Sequence, residues 1–215
     1  MANIMRATHL DEAIFASLCR ESDMYHVLQR CAILVSRMAL TMPPPMFHDM
    51  VRATASWPDL CRRLISTSAT LSHARSRKLV ALGLAHMLRH ASAQDKGLLS
   101  AVPDMIGMWT EVVGEVVEDE AGSADRYERE LSPTRALEIG EDGIPFLDEF
   151  GLIEAAPTPS SARTDAVRSR DPSFNVPLRA YVADTLNAVL QNGSYKTQLQ
   201  SLLATIDPLV LDTLQ

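Results

Sequence analysis

Apolar residues return every three or four positions along most of the chain and nowhere alternate one-on, one-off, which is the period of a helix face and not of a strand. The spacing predicts a first helix from about Leu10 to Cys19, with Asp11 and Glu12 at the end where the helix dipole favours anions. A second is predicted from the Ser22-Asp23 cap to about Thr41. Its apolar residues, Val27, Leu28, Cys31, Leu34, Val35 and Met38, cover much of the circumference, so deep burial is expected. Pro43-Pro44-Pro45 ends it. A third helix carries Met46, Phe47, Met50 and Val51 on one face. Trp57-Pro58-Asp59 opens a fourth, with Pro58 near the first helical position and Leu60, Leu64, Ile65 and Leu71 as its apolar set. The fifth lies in "SHARSRKLVALGLAHMLRH", residues 72–90, from Arg75 onward. The sixth runs from about Gly97 to Asp119, with Pro103 placed to split off its first turn.

From Ala121 to Arg170 the period is lost and Gly, Pro, Ser and Glu rise, so this stretch reads as an irregular insert. Phe146, Leu147, Phe150, Leu152 and Ile153 form one apolar island in it, suited to docking on the helical body. Helical order resumes at Asp171-Pro172. One helix is expected over Pro177 to Gln191, stopped by Asn192-Gly193, one over Tyr195 to Ile206, and a last one from the Asp207-Pro208 cap. The expected organisation is therefore helical repeats over 1–120, an acidic Gly/Pro/Ser-rich insert over 121–170, and C-terminal helices over 171–215 that complete the array. The fold class is all-α. A closed bundle and a stack of antiparallel helix pairs both fit such a chain. The proline-marked links favour the stack, with the second and third helices paired, and the fourth and fifth paired across Ser72-His73.

The fifth helix begins with Arg75, Arg77 and Lys78. A helix N-terminus disfavours cations, at about 0.3–1 kcal/mol each when exposed. Two readings stand. The three side chains bridge to carboxylates of a neighbouring helix pair, with Asp95 and Asp104 as partners, or they form a solvated turn that tolerates the cost.

Composition supports the helical reading: of 215 residues, 47% are hydrophobic and only 5% aromatic. The apolar positions near Met1 are broken by Arg6, His9, Asp11 and Glu12, so no signal peptide is expected, and no run approaches the ~20 apolar residues of a membrane span. Cys19, Cys31 and Cys61 sit in apolar helical patterns and read as reduced core residues of an intracellular protein. Charge is uneven. Residues 1–110 hold 12 Lys and Arg against 8 Asp and Glu; residues 111–215 hold 8 against 19. The acidic half and the lack of interleaved aromatics speak against nucleic acid, despite Arg62-Arg63 and the basic turn. Glu118, Asp119, Glu120, Glu141, Asp142, Asp148 and Glu149 are candidate contacts for a basic protein cargo; the plain alternative is a solubilising loop.

Nothing in the chain assembles catalytic chemistry. His86 and His90 have the i,i+4 spacing of a metal pair, but no Glu follows His86 and no third ligand is evident, so they read as a solvated helix end. Cys31 and Cys61 lie on apolar faces without a paired base, and Ser66, Ser68 and Ser72 occupy no nucleophile elbow. The glycines make no phosphate cradle. No enzyme activity, cofactor, metal or membrane partner is expected.

The segment "WPDLCRRLISTSATLSHARSRKLVALGLAHMLRH" resembles the C-terminal HEAT repeats of the importin-β superfamily, the karyopherins. The family's basic helix start stands here as Arg75-Ser-Arg77-Lys78-Leu79-Val80-Ala81-Leu82-Gly83-Leu84. "MYHVLQRCAILVSRMALTMPPPMFHDMV" looks like the preceding repeat, and "MIGMWTEVVGEVVEDEAGSADRY" like the next helix running into an acidic loop. The tail "DPSFNVPLRAYVADTLNAVLQNGSYKTQLQSLLATIDPLVLDTLQ" is similar to the final helices of the importin-eleven branch, with the importin-nine branch second. The resemblance covers most of residues 20–120 and 171–215. It implies a nuclear transport receptor, a protein-binding scaffold shared between nucleus and cytoplasm, with protein cargo and the small GTPase Ran as partners. Karyopherins are several times longer, their Ran-binding region near the N-terminus has no counterpart here, and the insert after Glu120 matches no family pattern. The chain is thus expected to be a fragment, a truncated product or a diverged descendant. In a fragment, the first helix would once have been covered, and an exposed apolar patch is expected within residues 1–19, where Leu10, Ile14 and Leu18 form one face, Phe15 and Cys19 extend it, and Met5 and Ala13 fall elsewhere. The alternative to a transport receptor is an unrelated all-helical regulatory or assembly module.

Overall fold

Prolines and acidic caps set the breaks between helices. The computed structural model describes residues 10–19, 25–92, 94–95, 97–122, 171–191 and 195–214. Among these residues there are ten α-helices and no strand: α1 Leu10–Cys19, α2 Tyr25–Thr41, α3 Pro44–Thr54, α4 Trp57–Ser68, α5 Ala74–Arg89, α6 Val102–Gly122, α7 Pro172–Asn175, α8 Leu178–Gln191, α9 Lys196–Leu203 and α10 Pro208–Asp212. Pro44 and Pro45 occupy the first turn of α3, where a missing N–H costs nothing. Ser56 caps α4 by accepting from the Asp59 amide at 3.3 Å. Asp171 and Asp207 do the same for α7 and α10, accepting from Ser173 N at 3.0 Å and Leu209 N at 2.9 Å. Ahead of Pro103 the chain makes a 3-10 turn, Leu99–Ala101, that leads directly into α6.

The chain is all-α, as its sequence period predicts, and consecutive helices pack as pairs: α1 on α2, α4 on α5, α5 on α6, α8 on α9. One helix departs from a simple row. α5 touches α2, α4 and α6, and also α7 and α8, which return to it from the far end of the chain. Every residue from Lys78 to Ala85 is buried, as are Met87 and Leu88. A helix covered on all sides needs small residues where neighbours press closest. Gly83 lies against Ser36 of α2, and Trp109 of α6 donates its indole N–H to the Ala81 carbonyl at 3.0 Å, which satisfies the one polar atom of a fully buried ring. Phe15, Phe47, Leu60, Leu64, Leu88 and Trp109 are the heart of the core.

Two sequence expectations are corrected here. α2 is not buried all round: Leu28, Ala32, Val35, Met38 and Ala39 face inward, while Tyr25, Val27 and Leu34 are exposed and Cys31 is half-buried. Its apolar circumference exceeds the surface its neighbours offer. The first helix shows the opposite. Ile14, Phe15 and Leu18 are 6%, 0% and 0% exposed, packed in the chain's own core beside Phe47 at a ring separation of 6.4 Å. Ile14 and Phe15 are therefore not part of an exposed patch, because α3 and α4 cover that face of α1; residues 1–9, where the rest of the patch was expected, lie outside the described residues. The apolar island at 146–153 and the rest of residues 123–170 lie outside the described residues.

Candidate interaction surface

The basic turn of α5 is held by side chains from two later elements. Arg77 is paired with Glu115 of α6, and its second terminal nitrogen stands 3.4 Å from Glu111, one turn earlier on that helix. Arg75 stacks its guanidinium 3.9 Å from the centre of the Phe174 ring in α7. Lys78 is buried, 6% exposed, and engaged within the fold. The carboxylates that Arg77 meets are therefore not Asp95 or Asp104. Negative charge from α6 offsets the unfavourable dipole of an uncapped helix start. A second ion pair works alongside: Arg37 of α2 reaches Asp171 at 2.7 Å, at the residue that caps α7. Burial pushes the Asp171 carboxyl up, but the bonds from Arg37 and Ser173 outweigh it and hold the group below its usual range.

A feature the sequence did not disclose is the turn after α5. Asp95 is buried, 2% exposed. Its two oxygens accept from His48 Nδ1 at 2.9 Å, Arg52 at 3.0 Å, Trp57 Nε1 at 3.1 Å and the Ser92 amide at 2.7 Å. The Ser92 hydroxyl adds another bond at 2.9 Å. Burial raises this carboxyl; the Ser92 amide, His48 and the Ser92 hydroxyl more than compensate, and it stays ionised below the ordinary carboxylate range. Gly97 closes the turn with φ +88°, a left-handed conformation open to glycine, and a Cβ there would meet Pro58 at 2.7 Å. Ser92-x-x-Asp95 followed by Gly97 is the only local signal; the other donors come from α3 and α4.

His86 is half-buried, while His90 is exposed at the helix end. His86 bonds Tyr181 of α8 at 2.6 Å, stacks with that ring, and lies 4.5 Å from His90. Burial, then the charges of His90, Arg89 and His48, depress its pKa to about 4, so the ring is neutral. Cys61 is fully buried and its thiol pushed up to about 12, whereas Cys31 is raised less severely by partial burial. Among the described residues no group of three or more His, Cys, Asp or Glu is arranged to hold a metal ion, and no helix is long and apolar enough to cross a membrane.

Of the acidic candidates, Glu118, Asp119 and Glu120 lie in the last turns of α6, while Glu141, Asp142, Asp148 and Glu149 fall outside the described residues. What the described residues show is a framework of ion pairs and buried polar bonds that ties helices together.

Comparison with known families gives a match over the whole chain. The family model described as "Importin-11-like, TPR repeats" matches residues 1–215. TPR and HEAT units are both stacked helix pairs, so the repeat name differs from the sequence expectation without changing the architecture. No curated protein and no solved structure matches the chain.

Proposed function

The chain belongs to the Importin-11-like family, and on that footing we propose that it serves as the C-terminal region of a nuclear transport receptor, a non-catalytic scaffold that holds protein cargo for import. The family match over residues 1–215 carries this reading, and it displaces that of an unrelated helical module. The helical repeats of 1–120 and the helices of 171–215 form the scaffold, and 121–170 is an acidic insert. Basic proteins are the favoured cargo, because the second half of the chain holds 19 Asp and Glu against 8 Lys and Arg. Ran is a partner by family relationship, and the protein passes between cytoplasm and nucleus.

Capture on the immobilised chain at low and at high salt tests the proposal. Proteins retained at low salt are expected to include basic nuclear proteins, and their nuclear fraction should fall when the chain is depleted from cells. Nuclear fractions that stay unchanged for every retained protein would remove the transport reading.

A further inference from the structure

A groove of about 450 Å³ lies between α4 and α6, with Arg77 of α5 also on its lining. Ile65 of α4, Ala69 just after it, and Pro103 and Met108 of α6 make it apolar. Gly107 leaves it open. A glycine inside a helix costs about 1 kcal/mol relative to Ala, and folds place one there to relieve a close contact or to leave space. Gly83 relieves a contact, but a Cβ on Gly107, as on Gly114, would meet nothing within 4 Å among the described residues, so Gly107 leaves open space at the groove.

The rim charges are unequally answered. Arg62 is tied to Asp59 at 2.8 Å. Arg77 is shared by two carboxylates, Glu111 and Glu115. Asp104, exposed beside Gly107, has no ion pair or side-chain hydrogen bond among the described residues. The groove therefore offers an apolar floor with negative charge left over on the α6 side. We infer that it is a docking site for a protein segment that presents a large apolar side chain next to a Lys or Arg, with the apolar group over Gly107 and the cation on Asp104. This deepens the scaffold reading by naming a surface and the chemistry of what it takes, and it rests on that reading only for the identity of the partner.

Methyl NMR on the whole chain tests the site, with Ile65 and Met108 as reporters. The probe is acetyl-Lys-Leu-Leu-Lys-amide; acetyl-Glu-Leu-Leu-Glu-amide and acetyl-Lys-Ser-Ser-Lys-amide are controls. The first peptide is expected to shift both methyls saturably, and the controls to leave them in place. Asp104→Asn should weaken the response by roughly two- to five-fold, the range of an exposed ion pair. Gly107→Phe should fill the groove and abolish the response while leaving the thermal transition of the fold intact; Gly107→Ala, with a smaller side chain, should reduce it. No shift at millimolar peptide, equal shifts from the acidic peptide, or full binding by folded Gly107→Phe would each overturn the site. Capture of nuclear proteins is read separately: if Gly107→Phe retains them all, the groove fails and the scaffold stands, and if wild type retains none, the scaffold fails while the titration still decides the groove.

Discussion

A Cβ built on Gly83 would stand 2.9 Å from the Cβ of Ser36 and 3.0 Å from its Cα, so α2 and α5 cross with no room for one methyl group. Helix propensity alone says that Gly→Ala stabilises by about 1 kcal/mol. At this crossing the backbone must shift, and overpacking costs about 1–3 kcal/mol. Gly83→Ala is expected to lower stability by roughly 1 kcal/mol, and Gly107→Ala, where nothing is near, to raise it by about 0.5–1 kcal/mol. Urea midpoints of the two variants should move in opposite directions; movement in the same direction would contradict the packing.

Ile14→Glu together with Phe15→Glu is expected to unfold the chain rather than to disperse it. Both side chains are buried, and an uncompensated buried charge costs about 3–5 kcal/mol, a large part of a typical domain's 5–15. Circular dichroism decides: a folded, monomeric double variant would mean that this face is exposed after all.

Asp95→Ala leaves the donors of His48, Arg52, Trp57 and Ser92 without their acceptor. A loss of about 3–5 kcal/mol is expected, and Asp95→Asn should recover only part, since its amide nitrogen cannot accept. The folded carboxyl titrates below its unfolded value, so its contribution is present above that value and is lost as pH falls through the folded pKa. Below about pH 4, wild type should therefore lose stability more steeply than Asp95→Ala; parallel profiles would rule the network out as the cause.

His86 gives a second acid window. Its pKa falls from 6.5 to about 4 on folding, so between those values the unfolded chain binds more protons. Stability should decline as pH drops from about 6.5 toward 4, and His86→Gln should flatten that stretch without touching the one below it. The denaturant midpoint at pH 7.5 and pH 5 is the measurement. An unaltered difference between the two pH values in His86→Gln would show that the ring is not the source.

Neutralising Glu118, Asp119, Glu120, Glu141, Asp142, Asp148 and Glu149 to Gln and Asn is expected to abolish the salt-sensitive retention of basic proteins. Retention that survives the substitution would leave those carboxylates a solubilising role only.

Helix positions were legible in the sequence because their punctuation is local. Trp57-Pro58, Asp171-Pro172 and Asp207-Pro208 each mark a helix start within a residue or two, through a cap bond or a proline that needs no partner elsewhere. What each face touches was less legible. Val27 and Leu34 share the apolar pattern of Leu28 and Val35, yet only the latter pair is covered, and that depends on how much surface α5 and α1 present. The basic start of α5 raised the right question, but the carboxylates that Arg77 meets lie at Glu111 and Glu115, a helix away, and not at the nearer Asp95. His86 and Tyr181 are 95 residues apart and only the closed fold joins them. Asp95 reads as an ordinary loop acid because three of its donors, His48, Arg52 and Trp57, belong to other elements.

The position of α5 also bears on the order in which the chain assembles. In an ideal repeat array each unit needs only its neighbours, and folding spreads from any point. Here the sheath of one helix is completed by α7 and α8, whose residues follow α5 by some 80 or more positions. During synthesis α5 emerges long before its last two neighbours exist, so its Phe174- and Tyr181-facing side stays bare until the final helices leave the ribosome. Closing that long loop is a late, entropically costly step. Loss of α8 should accordingly be felt first at α5, as faster amide exchange in the middle of the chain rather than at its end.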